Sequence, residues 1–218
     1  MSTAARSYRA FDPGCRTCVR LADFLDAVRT AQPGYHSAPV PAFGAERPAL
    51  LIVGLAPGMH GANRTGRPFT GDHAGILLYR TLHRFGYASA PESLSCTDGL
   101  RLRACRVTNA VKCLPPQNKP ETAEVRACNR YLAAEVQEVR TGGAILALGS
   151  IAHRAILMAF SLEPSPRPFA HGARHALPQR RVLFDSYHCS RYNTQTKRLT
   201  EAMFVSVFEA IAKHLDRA

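Results

Sequence analysis

Residues 49–55 read ALLIVGL, an unbroken apolar run that leads into the loop-like stretch APGMHGANRTGRPFTGD of residues 56–72. An apolar run without alternation is typical of a strand buried on both faces of a parallel sheet. Similar short runs recur at 105–111, 144–148 and 182–185. Segments with helical spacing of apolar residues lie between and around them, at 16–30, 74–85, 121–140, 151–160 and 196–215. We therefore predict an α/β fold with a four-stranded, mostly parallel sheet covered by helices on both faces.

The size and charge of the chain narrow the class of protein. Its 218 residues fit one domain with its own core, which we expect to span residues 1–218. Lys and Arg number 28 against 16 Asp and Glu, a net charge of +12. Such a charge favours nucleic acid as partner, because each neutralised phosphate releases counterions. A basic surface without a polyanion partner is the alternative.

No segment of the sequence suggests a membrane or a secretion pathway. The first twenty residues carry several arginines and lack the apolar core of a signal peptide. No apolar run approaches the roughly 18–20 residues that a membrane-spanning helix needs. We therefore expect a cytoplasmic protein with no membrane partner.

Four of the seven cysteines could form one metal centre. Cys15 and Cys18 make a C-x2-C pair, whereas Cys113 lies in a Pro-rich loop and Cys128 in the helix that follows. Four thiolates suit zinc or an iron–sulfur cluster. The wide second spacing favours a cluster, and zinc is the alternative. The remaining cysteines are expected to be buried free thiols, and they are Cys96, Cys105 and Cys189.

Unusual polar loops follow three of the predicted strands. Because the carboxyl ends of parallel strands meet at one edge of a sheet, these loops are expected to lie together. The glycines of residues 54–72 allow a ligand to approach the backbone closely. Gly61 and Gly66 have the spacing of a phosphate loop, but Arg67 and Pro68 stand where such a loop needs Lys and Ser or Thr. A nucleoside-triphosphate site is therefore excluded.

Four residues of these loops each have a structural and a functional interpretation. Asp72 is expected either to cap a helix or to position a water molecule. Phe69 anchors the core or forms a stacking platform for a base. Asn109 satisfies the backbone or reads the edge of a base with one donor and one acceptor. His188 is a loop histidine or a hydrogen-bond donor to a developing anion.

The last of these loops, DSYHCSRYNTQTKR at 185–198, also has the character of a phosphate-contacting segment. The residues in it that we expect to contact and probe a duplex are Ser190, Arg191, Tyr192, Asn193 and Thr194.

Taken together, these motifs resemble the uracil-DNA glycosylase superfamily, and specifically its family 5, or type B, enzymes. The resemblance rests on HGANRTGRPFTGD at 60–72, TNAVKCLPPQNKP at 108–120 and YHCSRYNT at 187–194. It implies a three-layer α/β/α sandwich around a four-stranded sheet. It also implies a 4Fe–4S cluster, whose ligands would be Cys15, Cys18, Cys113 and Cys128.

The resemblance also implies roles for single residues. Ala56 stands where better-known uracil glycosylases have a water-activating Asp, which leaves Asp72 to orient the attacking water. Phe69 would stack on the flipped base, Asn109 would bind its pairing edge and His188 would hydrogen-bond its oxygen. The residues expected to line the base site are Gly54, Leu55, Ala56 and Gly58. Those expected to contact DNA are Asn63, Arg64 and residues 190–194.

Two positions depart from the family pattern. Gly58 stands where many relatives have Ala, and Cys189 and Tyr192 flank a Ser-Arg pair that commonly has Val and Gln beside it. These departures would affect the base range or the grip on DNA rather than the catalytic atoms.

The expected function is that of a monofunctional DNA glycosylase of base excision repair. Such an enzyme would flip uracil, and other deaminated or damaged bases, out of double- or single-stranded DNA and leave an abasic site. We expect it to act as a monomer. One alternative is a basic DNA-binding module that is stapled by a metal and has no catalytic activity. The other is a phosphodiesterase-type hydrolase, which is disfavoured because the sequence lacks the carboxylate cluster that would bind two metal ions.

Overall fold

The computed structural model describes residues 11–216, and at its centre lies a six-stranded sheet. The strands are β1 (Phe43–Gly44), β2 (Leu50–Gly54), β3 (Cys105–Asn109), β4 (Ala144–Leu148), β5 (Arg174–Ala176) and β6 (Val182–Ser186). Their order across the sheet is β1-β3-β2-β4-β6-β5. The four central strands are parallel, as predicted, and β1 and β5 add antiparallel edges. The sheet therefore has two more strands than the four predicted.

The helices cover both faces of this sheet. They are α1 (Val19–Ala31), α2 (Ala62–Thr65), α3 (His73–Arg84), α4 (Thr122–Glu138), α5 (Ser150–Ala159), α6 (Arg191–Gln195) and α7 (Glu201–Leu215). Leu25 of α1, Leu132 of α4 and Ile156 of α5 belong to the core on one face. Leu78 of α3 and Phe208 of α7 belong to the core on the other face. The predicted three-layer α/β/α sandwich is confirmed.

The start of the last predicted helix, at residue 196, is wrong. α6 ends at Gln195, and α7 begins at Glu201. Lys197 between them has a φ of 58°, which no α-helix accommodates. Thr200 then caps α7, because its hydroxyl accepts a hydrogen bond from the Met203 backbone N at 3.2 Å. The break leaves α6 as a separate short helix beside the predicted DNA-contacting loop.

The crossovers open a crevice at the carboxyl edge of the sheet. β2 and β4 are neighbours, but α3 packs on one face of the sheet and α5 on the other. Chains that leave adjacent strands toward opposite faces create the crevice in which α/β proteins bind ligands. The loops that carry Asp72, Asn109 and His188 all start from this edge.

Within residues 11–216, no helix combines the length and the apolar character that crossing a bilayer requires. Two predictions, a single domain over residues 1–218 and the lack of a signal peptide, concern residues 1–10 or 217–218 in part. Those residues lie outside the part of the chain that the structure describes.

Candidate active site

The ends of β2 and β3 bring a glycine, an amide and an aromatic ring together. Gly54 is paired with Asn109 in the parallel register. A Cβ atom on Gly54 would lie 2.4 Å from Asn109 Oδ1 and 2.4 Å from Phe69 Cζ. Only glycine therefore allows the amide and the ring to approach the strand end so closely. The predicted neighbours Gly54, Phe69 and Asn109 do converge.

The Asn109 side chain is buried but unused by the fold. The residue is 4% exposed, and no hydrogen bond joins its side chain to another residue in the range 11–216. Its amide atoms are not among the fully buried polar atoms without a partner, so they keep a small exposure to solvent. An amide that faces the crevice and makes no internal hydrogen bond can donate to and accept from a ligand. Asn109 thus has the character of a binding group rather than of a structural one.

Phe69 and His188 form a stacked pair across the crevice. Their ring centroids lie 5.9 Å apart with an interplanar angle of 28°. Phe69 has a φ of 54°, a backbone conformation that aromatic residues rarely adopt. Burial lowers the pKa of His188 to about 4, so the imidazole is neutral near pH 7. A neutral imidazole still carries one N–H that can donate to a ligand oxygen.

Asp72 serves as a helix cap with one carboxylate oxygen and faces the loop glycines with the other. Its Oδ1 accepts a hydrogen bond from the Gly75 backbone N at 2.9 Å, which confirms the cap at the start of α3. A Cβ atom on Gly61 would lie 2.4 Å from Oδ2, and one on Gly58 would lie 3.7 Å from it. Burial raises the pKa of Asp72, although the backbone N–H groups of Gly75 and Ala74 oppose that shift.

An open cleft of about 890 Å³ leads to this carboxylate. Gly58, Asp72 and the guanidinium-bearing residues Arg64 and Arg191 are among the residues that line it. Leu55 and Ala56, at the start of the loop, are partly buried. The cleft thus combines a half-buried carboxylate with cationic groups among its lining residues, an arrangement suited to a polyanion.

The predicted DNA-contacting residues divide into exposed and internal groups. Arg191 is exposed, and Tyr192 is 69% exposed, which is unusual for an aromatic side chain. Arg64 is also exposed. Asn63 instead is 0% exposed, and neither its Nδ2 nor its Oδ1 has a hydrogen-bond partner among residues 11–216. The structure therefore places Asn63 beneath the surface rather than on it.

The remaining residues of the last loop hold the loop in place. Ser190 caps α6 by accepting from the Asn193 backbone N at 3.4 Å. The Asn193 amide donates to the His188 backbone oxygen at 2.8 Å. Thr194 Oγ1 lies 2.9 Å from His73 Nε2, which joins this loop to the residue next to Asp72. Sequence reasoning missed His73, because nothing local in the sequence signals a contact across 121 residues.

Two further interactions at the loop of residues 54–72 were not predicted. The Tyr35 hydroxyl lies 2.8 Å from His60 Nδ1, and His60 lines the cleft. Arg67 is buried and forms an ion pair with Asp98 at 2.7 Å. Burial alone would raise the pKa of Asp98, but Arg67 and three backbone N–H groups lower it to about 2. Arg67, the residue that excluded a phosphate loop, thus holds the loop to the body of the protein.

A second site lies between α1, α4 and the loop after β3. Cys15, Cys18, Cys113 and Cys128 line one cavity, as predicted from their spacing. No three of their sulfur atoms lie within 4.8 Å of one another among residues 11–216. Zinc–sulfur bonds of about 2.3 Å place zinc thiolates roughly 3.8 Å apart. The four sulfurs are thus spread more widely than a single zinc ion requires.

Hydrogen-bond donors already face two of these sulfurs. The Arg130 guanidinium donates to Cys15 Sγ at 3.2 Å, and the Lys112 backbone N donates to Cys128 Sγ at 3.3 Å. Burial raises the pKa of Cys113 to about 12 and that of Cys128 to about 11. A bound cation would reverse this preference for the thiol form, since metals take cysteine as thiolate.

The other three cysteines are free thiols, as predicted. Cys105 and Cys189 are buried, but Cys96 is exposed, so its predicted burial is wrong. Cys96 lies in the polar segment that presents its carbonyl oxygen to Arg67 at 2.8 Å, and this segment runs over the surface.

Comparison with known proteins agrees with this geometry. The family model of the Uracil DNA glycosylase superfamily matches residues 41–212. A type-5 uracil-DNA glycosylase of Thermus thermophilus is 48% identical over 198 residues, covering 88% of this chain and 90% of that protein. Relatives with the same description from Mycobacterium bovis and Pyrobaculum aerophilum are 42% and 38% identical, each over 91% of this chain and over 77% and 88% of their own lengths.

Proposed function

The chain belongs to the uracil-DNA glycosylase superfamily, and we propose that it is a type-5 enzyme that hydrolyses the N-glycosidic bond of uracil in DNA. The observation that carries the proposal is the Asn109 amide next to Phe69 and His188, which has no hydrogen-bond partner among residues 11–216. The product is an abasic site in base excision repair. The enzyme acts as a monomer, and its cytoplasmic location stays a prediction.

Recognition begins when the base leaves the stack and enters the crevice. The Asn109 amide supplies one donor and one acceptor, which match the adjacent N–H and carbonyl groups on the pairing edge of uracil. The Phe69 ring provides the apolar surface on which the base stacks. Gly54, Leu55, Ala56 and Gly58 allow the backbone to come close to the base. A site of this kind also accepts other deaminated or damaged bases whose edge offers the same donor and acceptor.

Cleavage of the bond places negative charge on the base and positive charge on the sugar. The neutral His188 ring donates an N–H to the base oxygen on which charge develops, and each such donor contributes about 3 kcal/mol in a dry site. The Asp72 carboxylate orients the attacking water with Oδ2, while Oδ1 stays bound to the Gly75 backbone. Its negative charge also stabilises the cationic sugar. Ala56 cannot fill this role, since it has no carboxylate.

The enzyme is monofunctional in this proposal. A glycosylase that also cuts the strand needs an amine nucleophile, and no lysine of residues 11–216 lines the cleft. Lys112, which lies near the site in sequence, is 1% exposed and bonded to Glu135 at 2.7 Å. Its amine is therefore committed to a buried ion pair.

DNA contacts come from the exposed cations and the exposed tyrosine. Arg64 and Arg191 line the cleft and bind phosphates, and Tyr192 enters the stack where the base has left. Ser190, Asn193 and Thr194 support this loop from inside. Asn63 supports the loop of residues 54–72 through its backbone, whose N–H donates to the Gly58 oxygen and whose oxygen accepts from the Ser37 N–H. Both double- and single-stranded DNA fit such contacts, because they depend on the backbone and on one flipped base.

We also propose that the four cysteines, Cys15, Cys18, Cys113 and Cys128, hold a 4Fe–4S cluster. Their shared cavity and the wide spread of their sulfurs support a cluster over zinc. With a cluster bound, these four residues would join the segment before α1 to α4 and to the loop after β3. Analysis of iron and acid-labile sulfide tests this: about four of each per chain supports the proposal, and stoichiometric zinc without iron contradicts it.

The activity is tested with an end-labelled duplex that carries one uracil opposite guanine. Wild-type protein is expected to produce a strand break only after hot alkali, which cleaves abasic sites. Asn109→Ala is expected to lose activity on uracil by 100-fold or more (roughly 3 kcal/mol of lost transition-state binding). The matched control Asn129→Ala removes an amide whose hydrogen bond within residues 11–216 goes to the Ala155 backbone oxygen, and it should leave the rate within about twofold.

Each result of this assay separates the candidate functions. A break without alkali would indicate strand cleavage and contradict a monofunctional glycosylase. If the protein binds the duplex but produces no break even after alkali, it is a DNA-binding module without catalytic activity. Equal loss of activity in Asn109→Ala and Asn129→Ala would show that stability, not base recognition, accounts for the effect.

A further inference from the structure

A buried group of two histidines and one aspartate lies on the other side of β6 from the stacked Phe69 and His188 rings. His153 comes from α5, His175 from β5 and Asp185 from β6. Asp185 is 0% exposed and His153 is 1% exposed, whereas His175 is partly exposed. None of them lines the active-site cleft or the cysteine cavity, so neither site explains why three titratable side chains are buried together.

The hydrogen bonds of His153 leave a place for a proton or a metal ion between its ring and Asp185. His153 Nε2 lies 2.9 Å from the Arg167 backbone oxygen, which can only accept, so Nε2 carries a proton. In the neutral ring Nδ1 is then an unprotonated acceptor. It lies 2.8 Å from Asp185 Oδ1, another acceptor. Two acceptors at this distance repel each other unless a proton or a metal ion lies between them.

The chemistry of the three side chains points to a metal ion. His175 Nε2 lies 3.3 Å from Asp185 Oδ2, and the ligand atoms of the three residues lie within 4.8 Å of one another. Metal bonds of about 2.0–2.1 Å place neighbouring ligands of a tetrahedral zinc ion about 3.3 Å apart. Histidines that bind metals usually donate their second N–H to a backbone carbonyl, as His153 does to Arg167.

We propose that His153, His175 and Asp185 form a binding site for a divalent transition-metal ion, with zinc as the best match. Two imidazoles and one carboxylate are a frequent protein ligand set for zinc and iron. The partly exposed edge of His175 offers the route by which the ion enters. A fourth position is left for a water molecule or another ligand.

Such an ion would join α5 to the strands β5 and β6, on either side of the Pro-rich segment of residues 161–173 that connects α5 to β5. This segment already contacts the group through the Phe169 ring, which meets the His153 ring edge-on at 5.8 Å. The Gly172 backbone N also donates to the Asp185 backbone oxygen at 2.8 Å. The metal would therefore add a crosslink between α5 and the strand that leads to His188, and its effect would be on stability.

Zinc binding to purified full-length protein tests the proposal. The protein is first treated with chelator, and its iron content is measured so that the state of the cysteine site is known. Zinc is then added, and bound metal is measured by equilibrium dialysis, together with the Tm. Parallel titration with cobalt reports on the ligands, because thiolate ligands produce intense near-ultraviolet charge-transfer bands that imidazole and carboxylate ligands do not.

The variants are His175→Gln, Asp185→Asn and the control His83→Gln, an exposed histidine bonded to the Ala88 backbone oxygen. Wild type and His83→Gln should bind one zinc ion per chain, and their cobalt titrations should show no thiolate bands. Their Tm should rise by about 5–10 °C at 100-fold excess over Kd. His175→Gln and Asp185→Asn should bind at least tenfold more weakly, with a correspondingly smaller Tm rise at the same zinc concentration.

The proposal is overturned if wild type takes up no zinc. It is also overturned if the cobalt titration of wild type shows thiolate bands, which would place the metal at the cysteines. It is equally overturned if His175→Gln binds zinc as tightly as wild type, in which case a proton alone joins His153 to Asp185. Because His175 is partly exposed, this variant keeps the test decisive even if Asp185→Asn fails to fold. Glycosylase activity is not the readout, so a failure here leaves the proposed function untouched.

Discussion

Asp72 offers the sharpest test of the proposed chemistry, because its two carboxylate oxygens have separable roles. Oδ1 caps α3 by accepting from the Gly75 backbone at 2.9 Å, whereas Oδ2 faces Gly58 and Gly61. Asparagine caps helices about as well as aspartate but carries no charge. Asp72→Asn therefore keeps the cap and removes the carboxylate, and Asp72→Ala removes both.

The two variants should differ in stability but not in activity. Loss of the cap costs about 1 kcal/mol, so Asp72→Ala should melt about 2–4 °C below Asp72→Asn. Loss of the carboxylate removes both the orientation of water and the stabilisation of the cationic sugar. We expect single-turnover cleavage by either variant to fall by about 10²–10⁴-fold, while the Kd for a cleavage-resistant uracil duplex changes little.

The pH dependence adds an independent check on the same carboxylate. Burial raises the pKa of Asp72, so the acid limb of the wild-type rate should lie above the usual range of an aspartate. The rate should rise with pH as the carboxyl group ionises, and Asp72→Asn should lack this limb. If Asp72→Asn keeps nearly the wild-type rate while Asp72→Ala loses it, Asp72 is a cap and the proposed catalytic role is refuted.

Three further predictions concern the surroundings of the site. Gly54→Ala places a Cβ atom 2.4 Å from both Asn109 Oδ1 and the Phe69 ring and should reduce cleavage by 100-fold or more (at least about 3 kcal/mol). Gly34→Ala, where nothing lies within 4 Å, is its control, and similar rates for the two would contradict the packing argument. Burial lowers the pKa of His188 to about 4, so its contribution to stability is complete above about pH 6.5 and is lost as the pH falls toward 4. Urea unfolding of His188→Gln should show a smaller loss over that range than wild type, and parallel curves would refute the shift. Asp98→Ala leaves the buried Arg67 without its carboxylate partner, although Ser93 Oγ and the Cys96 backbone oxygen still accept from it, and should cost about 1–3 kcal/mol in urea unfolding. The double variant Arg67→Met/Asp98→Ala should recover part of that stability. If the double variant is less stable than Asp98→Ala, the loss does not come from the buried charge of Arg67.

Much of the central sheet could be predicted from the sequence alone. β4 has the predicted bounds, Ala144–Leu148, and the other parallel strands differ from prediction by one or two residues at an end. A strand covered on both faces must be apolar along its whole length, so its sequence records its burial. β1 and β5 are two and three residues long and contain partly exposed residues, so no apolar run marks them. Their pairing depends on neighbouring strands that are distant in sequence.

The sequence also indicated which loops carry the site, but not how their atoms are used. Strand ends, glycines and the motif of residues 60–72 placed Asp72, Asn109 and His188 at one edge of the sheet. Only the folded chain shows that Asn63 is internal, that Asn193 and Thr194 hold the loop, and that His73 joins it to α3. These roles depend on contacts between segments far apart in the chain, whereas motif and periodicity are local.

The division is clearest for the two groups of metal-ligating residues. The spacing of Cys15 and Cys18 and the positions of Cys113 and Cys128 made the cysteine site visible in the sequence. His153, His175 and Asp185 have no such spacing, because each comes from a different element of the α/β fold. The sequence by itself determined the layers, the parallel strands and the polar edge, since these follow from local hydrophobic pattern. The tertiary structure decided which polar side chains meet, because crossovers between strands bring distant residues within hydrogen-bond distance.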